Sequence, residues 1–258
     1  MSMRENDEVS RMSALAVIPA RGGSKRIPRK NIRKFCGKPI MVYTIEAAIS
    51  SGLFDRVMVS TDDTKIAELS QVAGAEVPFM RSAAMADDYA TTDDVVLEVL
   101  GEYQKRGQCF DYVCCIYPTA PFVTGEVLRE AMRLMEQYRP VQVMPVVQFS
   151  YPPQRCFILD QNGYAVFKYP QYIVSRSQDL EKQYHDAGQF YLSKVEEYVN
   201  RRGIIYDGIM PMIVSELQVQ DIDTEFDWKL AEIKYELMKG GQRKEMEDES
   251  QWEQAENA

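Results

Sequence analysis

ALAVIPARGGSKRIPRKN, residues 14–31, is the stretch whose reading decides the fold. Ala14 to Ile18 is a continuous apolar run, the pattern of a strand buried on both faces of a sheet. Pro19, the adjacent Gly22 and Gly23, and five cations between Arg21 and Lys30 follow it directly. The surroundings sharpen the contrast. From Val9 to Ile45 there is no Asp or Glu, and nine Lys or Arg residues fall within those 37 positions, although the whole chain carries a formal net charge of -9. A local excess of positive charge on an acidic protein implies that something anionic sits there.

Outward from this segment, strand and helix patterns alternate. Ile40 to Ser51 has helical apolar spacing and Arg56 to Ser60 reads as a strand. Asp62 or Asp63 can cap a helix ending at Gly74, and Asp93 to Arg106 is helical in pattern. Tyr112 to Ile116 is a second buried strand, Thr124 opens a helix to about Tyr138, and Val141 to Val147 is strand-like. Four such alternations within 150 residues predict an α/β fold: a Rossmann-like, mostly parallel sheet with helices on both faces. After Phe149 the pattern loosens into a hairpin and a polar stretch, so a small β-rich excursion is expected over about 149–190. Strand-like pieces return at Gln189 to Leu192 and Met212 to Val214, and a helix runs from about Glu225 to Met238. The expected organisation is a flexible N-terminus (1–12), one domain (13–239) and an acidic, disordered tail from Gly240–Gly241 onward (240–258).

Composition narrows the function classes. The chain is 45% hydrophobic and 27% charged over 258 residues, an ordinary globular profile. Its acidity argues against nucleic acid or anionic membrane as partners, so the basic loop acts locally. No apolar run approaches the ~18 residues of a membrane span, and Met1 to Arg11 lack a signal-peptide core, which makes the cytoplasm the expected location. The five cysteines show no CxxC spacing and read as reduced thiols; Cys114 and Cys115 are expected on opposite faces of their strand. With His185 as the sole histidine, histidine-rich metal sites are excluded.

Ligands of open parallel sheets bind outside the carboxyl ends of the strands, where the quoted loop lies. Neither GxxxxGK[ST] nor GxGxxG is present. Gly22 and Gly23 let the backbone approach a ligand and expose N–H groups to its oxygens. Arg21 offers a planar fork, and Lys25 and Lys30 offer mobile charge, a donor set suited to a triphosphate. A solvated basic loop is the alternative, but it requires none of the backbone control that Pro19 and the glycine pair impose. Near the other end, Asp221 and Asp223 project to one face if extended and suit Mg²⁺, which takes one or two carboxylates and completes its shell with water and phosphate. Asp223 could instead cap the following helix, in competition with a Thr224–Asp227 capping box. Thr91, Thr92 or Asp93 would cap a helix, and Arg81 could contact a base or ribose.

With these residues in view, the sequence resembles the sugar-acid cytidylyltransferases. Their IPAR-x-GSK motif and Lys-Asn pair match Ile18 to Lys25 and Lys30-Asn31. RSAAMADDYATTDDV, DYVCCIYPTAPF, FSYPPQR, RSQDLEKQYHDAGQFY and QVQDIDTEFDW carry the likeness across Ala14 to Tyr235. The resemblance implies a dimeric nucleotidyltransferase that joins CTP to a nine-carbon 2-keto (nonulosonic) sugar acid with Mg²⁺, releasing diphosphate. By position, Ala20, Arg21, Gly22, Gly23, Ser24, Lys25, Lys30 and Asn31 match the nucleotide loop, Arg81 and Thr91 the cytidine region, and Asp221 and Asp223 the metal pair. Gln178 to Tyr191 matches a region that shapes the sugar pocket, partly across the dimer interface. Where sialic-acid enzymes carry LQPTSP this chain reads Ile-Tyr117-Pro-Thr-Ala-Pro; losing that glutamine favours pseudaminate over N-acetylneuraminate, with legionaminate a further alternative. Decoration of flagellin or surface polysaccharide is implied by the resemblance alone.

The expected chemistry is in-line attack of the anomeric hydroxyl on the α-phosphorus, with Arg21, Lys30, Asp221 and Asp223 as the catalytic set. His185 reads as a base, a sugar-carboxylate contact or a structural residue. Gln189 and Tyr191 either read N-acyl groups or pack, and Arg155 and Arg176 either meet the sugar carboxylate or form surface ion pairs. A nucleotide-sugar glycosyltransferase is the rival enzyme, although its DxD usually lies mid-chain. A basic-patch binding protein is the rival of another class and would show steep salt dependence with no preference for CTP.

Overall fold

The computed structural model describes residues 12–86 and 89–256, with side chains described through residue 240. The expected flexible N-terminus falls on residues 1–11, outside the described residues. β1 (Ala14–Pro19) is buried along its whole apolar run, with Ala14 to Ile18 at 0% exposure. It lies between β4 (Arg56–Ser60) and β5 (Tyr112–Ile116), parallel to both, with Ala16 opposite Val57 on one side and Cys114 on the other. Beyond β5 come β10 (Phe190–Lys194), β6 (Gln142–Gln148) and β11 (Ile209–Ile213), giving the order β11-β6-β10-β5-β1-β4. β10 runs antiparallel to both neighbours, and β9 (Tyr184–Asp186) pairs antiparallel with the end of β6. The sheet is therefore mostly parallel, with one inverted strand in its middle.

The pleat sorts β1 into two cores. Ala14, Ala16 and Ile18 pack with α1 (Ile40–Ser51) and α4 (Gly125–Tyr138), along with Ile66 of α2 (Thr64–Val72). Leu15 and Val17 face α3 (Thr92–Lys105) and Tyr198 of α5 (Val195–Asn200). Cys114 and Cys115 divide between these cores as their adjacency predicts, and burial pushes both thiols up. Side-chain caps start α2 and α4: Asp63 accepts Ile66 N–H at 3.0 Å, and Thr124 accepts Val127 N–H at 3.3 Å.

A third core lies beneath the glycine loop. β2 (Lys34–Phe35) and β3 (Lys38–Pro39) form a tight hairpin over Cys36 and Gly37, both at positive φ, the geometry of a two-residue hairpin turn. Phe35 meets Tyr43, Trp228 and Tyr235 edge-on, and Ile27 and Ile222 complete the cluster. Trp228 belongs to α6 (Glu225–Glu256), so this core ties the last helix to the first loop. The helix passes through Gly240–Gly241, where the sequence predicts a stop and a disordered tail. The Glu, Gln, Lys and Ala residues beyond are strong helix formers and favour continuation.

The excursion holds β7 (Phe157–Leu159) and β8 (Ala165–Phe167), paired antiparallel around Asn162-Gly163. Its two strands are apolar yet exposed: Ile158 is 51% and Leu159 73% accessible.

Candidate active site

The loop after β1 is shaped by acids from the end of β4. Ala20 N–H still reaches Ser60 O at 2.9 Å, and Gly22 N–H then donates to Asp62 Oδ1 at 3.0 Å. A Cβ on Gly22 would stand 2.8 Å from Asp63 Oδ2 and 2.9 Å from its Cβ, so this position has no room for a side chain. Arg29, itself at φ 55°, pairs with Asp63 at 2.6 Å. Burial alone would raise the Asp63 carboxyl, but Ile66 N–H and Arg29 outweigh it and hold it below the usual range. Asn31 is buried and donates to Arg21 O at 2.9 Å, closing the loop from its far end. Arg21 and Ser24 are half-buried, while Gly23 and Lys25 are exposed.

Arg81 lies behind this turn. It is 8% exposed, and its guanidinium donates to Ser60 O at 2.6 Å and Ser60 Oγ at 3.1 Å. Burial lowers its pKa, with Arg21 adding to the effect and Asp62 and Glu98 opposing it. Thr91 is committed to a capping box: its hydroxyl donates to Asp94 Oδ2 at 2.7 Å and accepts Asp94 N–H at 3.1 Å. The capping alternative therefore accounts for Thr91 without a ligand.

The late aspartates meet the loop. Arg26 Nη1 lies 2.5 Å from Asp223 Oδ2, and Lys30 Nζ donates to Ile222 O at 2.6 Å while standing 3.6 Å from Asp223 Oδ1. Arg33 extends the contact, pairing with Glu225 and stacking 4.4 Å over the Trp228 ring. Thr224 and Asp227 form the capping box of α6, which leaves the Asp223 carboxylate to the loop. Ile222 is buried between its two neighbours, so the carboxylates share the outward face. Partial burial, then the charge of Asp223, hold Asp221 above the usual carboxylate range, with Lys30 and Arg26 opposing them.

From Asp221 a cleft of about 540 Å³ extends past Tyr117, Phe149, His185, Asp186 and Lys234. His185 is exposed on β9; its Nδ1 lies 2.8 Å from Asp186 O, and its ring stands 4.8 Å from that of Phe149. A second cavity of about 430 Å³, also bounded by Tyr117 and Asp186, contains Tyr191. Gln189 lines neither: it is 4% exposed and its side-chain amide donates to Gln218 O, while its backbone carbonyl accepts Tyr117 N–H at 2.8 Å, so of its two readings the structure shows packing. Arg155, Arg176 and Gln178 lie on the excursion, outside both clefts of this chain; Arg155 reaches Ser177 Oγ at 3.4 Å. Sequence reasoning missed the loop contacts of Asp62, Asp63, Arg26, Arg29 and Arg33. Thr61-Asp62-Asp63 at the carboxyl end of the neighbouring strand was the available signal.

A family model for cytidylyltransferases matches residues 15–239. The chain belongs to the cytidylyltransferase family. It is 40% identical over 226 residues to the pseudaminic acid cytidylyltransferase of Campylobacter jejuni, covering 88% of this chain and 97% of that one. It is 34% identical over 233 residues to the CMP-N,N'-diacetyllegionaminic acid synthase of Legionella pneumophila, at 88% and 97% coverage. In fold it is similar to CMP:2-keto-3-deoxy-manno-octonic acid synthetase complexed with CTP, with a TM-score of 0.63 at 17% identity over 88% of this chain and 99% of the other. This cytidylyltransferase is thus a nucleotidyltransferase whose glycine loop and late aspartates form one polar centre at the sheet's carboxyl rim.

Proposed function

We propose that this cytidylyltransferase joins CTP to a nine-carbon 2-keto sugar acid, pseudaminic acid, giving the CMP-sugar and diphosphate. The observation that carries the reading is the pairing of Asp223 with Arg26 and Lys30, two residues from Asp221 at the mouth of a cleft that leads to Tyr117. The 40% identity to a pseudaminic acid enzyme supports the choice of sugar, as does Tyr117 at the position where sialic-acid enzymes carry glutamine.

In this reading Gly23 N–H, Arg21, Ser24 and Lys25 receive the phosphates, while Gly22 N–H is held by Asp62 and Arg81 supports the turn from behind. The sugar acid enters past Tyr117, and its anomeric hydroxyl forms a bond to the α-phosphorus as the bond to diphosphate breaks. The hydroxyl proton leaves to solvent or to the departing oxygens. Arg21 and Lys30 offset the charge that develops on the α-phosphoryl and leaving oxygens. No residue becomes covalently attached.

The residues fit Mg²⁺. Two carboxylates are held on one face with like charge raising Asp221, and among the described residues no group of three or more His, Cys, Asp or Glu forms a self-sufficient cage. Such a pair suits an ion that takes its remaining ligands from water and phosphate. When bound, Mg²⁺ supplies Lewis-acid polarisation and lowers the pKa of a coordinated hydroxyl. A homodimer formed through the excursion is part of the proposal, supported by its exposed Ile158, Leu159, Val166 and Val174. Arg155, Arg176 and Gln178 would then reach substrate across that interface.

The experiment is diphosphate release from CTP with pseudaminic, legionaminic and N-acetylneuraminic acids in parallel. Preference for pseudaminic acid is expected; equal or better turnover of another acid reassigns the sugar, and no release with any of them removes the reading.

A further inference from the structure

The two clefts share a wall. Tyr117 and Asp186 line both the cleft that holds Asp221 and the second cavity. The wall is braced from within: Tyr191 Oη donates to Asp186 Oδ2 at 2.6 Å, and Gly188 N–H donates to Asp186 Oδ1 at 2.7 Å. The Tyr191 ring meets Tyr117 edge-on at 5.6 Å. Across the cavity Tyr198 Oη donates to Asp93 Oδ1 at 2.6 Å, and a Cβ on Gly203 would stand 2.4 Å from Asp93 Cβ, which fixes that carboxylate from behind. Ile205 and Ile209 add apolar lining.

Two carboxylates, each fixed by a tyrosine hydroxyl, give this cavity a definite chemistry. It repels a third carboxylate at close range. It offers acceptors, because each Asp186 oxygen uses one lone pair internally and keeps another. Beside those acceptors it offers apolar surface. An acylamino group, with one N–H donor next to a methyl, matches this lining; a carboxylate does not.

We propose that Asp186 determines specificity by accepting the N–H of an acylamino substituent of the sugar acid in the second cavity. The inference rests on the sugar-acid reading above. Asp186→Asn keeps the size of the side chain but turns one acceptor into a donor facing the substrate N–H. Tyr191→Phe removes the brace and leaves the carboxylate.

The test measures kcat and KM of both variants with CTP in excess, using pseudaminic acid, which carries two acylamino groups, and N-acetylneuraminic acid, which carries one. CTP affinity is measured by calorimetry. A site built to pair a buried N–H discriminates strongly once its partner is changed, so Asp186→Asn should raise the KM for the diacylamino acid by about tenfold or more and shrink the preference between the acids by a similar factor. kcat and CTP affinity should stay within about threefold. Tyr191→Phe should cost less and retain the preference. Unchanged KM and preference in Asp186→Asn, with wild-type turnover intact, overturns the inference and leaves the sugar-acid reading standing. Equal losses in the two variants, with no further loss in the double variant, make Asp186 only a brace for Tyr191 and overturn the direct contact. Absence of wild-type release with either acid overturns both.

Discussion

The glycine loop and the β7–β8 excursion are opposite solutions to one problem, how a polar or apolar segment outside the sheet is held. The loop has little apolar surface of its own, yet it is fixed at many points: Gly22 by Asp62, Arg29 by Asp63, Asn31 by Arg21 O, and Arg26, Lys30 and Arg33 by the segment from Ile222 to Glu225. Beneath it Ile27 and Trp228 are fully buried. The excursion has two apolar strands and few of its side chains buried: Val174 is 93% and Tyr164 72% exposed. The loop is completed by its own chain, whereas the excursion leaves apolar side chains uncovered. Fixed donors lie in the first region, and the proposed dimer interface lies in the second.

The strongest way to break this contrast is at Trp228. Trp228→Ala should cost about 3–5 kcal/mol of stability through the cavity it leaves, and it should loosen the aspartates from the loop. Denaturant unfolding, with CTP affinity measured alongside, would show both losses together; a loss of stability with CTP affinity intact would mean the loop does not depend on α6. Next in size, Arg21→Ala should lower turnover on the order of 10²–10³, as for loss of one preorganised donor. A steady-state loss below about tenfold would remove Arg21 from transition-state stabilisation.

Gly22→Ala is a milder probe of the same region. The added methyl displaces Asp63, disturbing both Arg29 and the α2 cap, so a loss of about 1 kcal/mol in stability is expected, as for a weakened cap. The KM for CTP should rise by several-fold, and an unchanged KM would show that the phosphate turn tolerates the shift. Smallest in its effect on the folded chain is Ile158→Asp. Stability should stay within about 0.5 kcal/mol, as at exposed positions, while sedimentation should show dimer dissociation. A dimer that persists unchanged would place the interface elsewhere.

Legibility followed the range of the interactions. The β1 run, the turn glycines and the caps at Asp63, Thr91 and Thr124 are set by neighbours within a few residues, so pattern located the run and the turn and narrowed the caps to two or three adjacent residues or, at Thr124, to the helix start. The parallel sheet followed from alternation, but alternation carries no information on the inversion of β10, which depends on how the chain returns from the excursion. Asp221 and Asp223 were legible as a pair. Their partners were less so, because Arg26 and Asp223 are 197 residues apart in sequence. Gln189 shows the limit of reading residue type: an amide in a motif suggests substrate contact, yet its environment is the buried junction between Tyr117 and Gln218. The continuation of α6 past Gly240 shows the converse, a breaker pair overridden by the helix formers beyond it.

In the proposed function the early glycine loop and the late aspartates act as one site on CTP and its metal. Its most direct test is a Mg²⁺ titration of diphosphate release, with saturating CTP and sugar acid, in wild type and Asp223→Asn. Half-saturation should move to about tenfold higher Mg²⁺ or beyond in the variant, since removing one of two carboxylates weakens a site of this kind. An unchanged Mg²⁺ dependence would make Asp223 a structural partner of Arg26 and contradict the account.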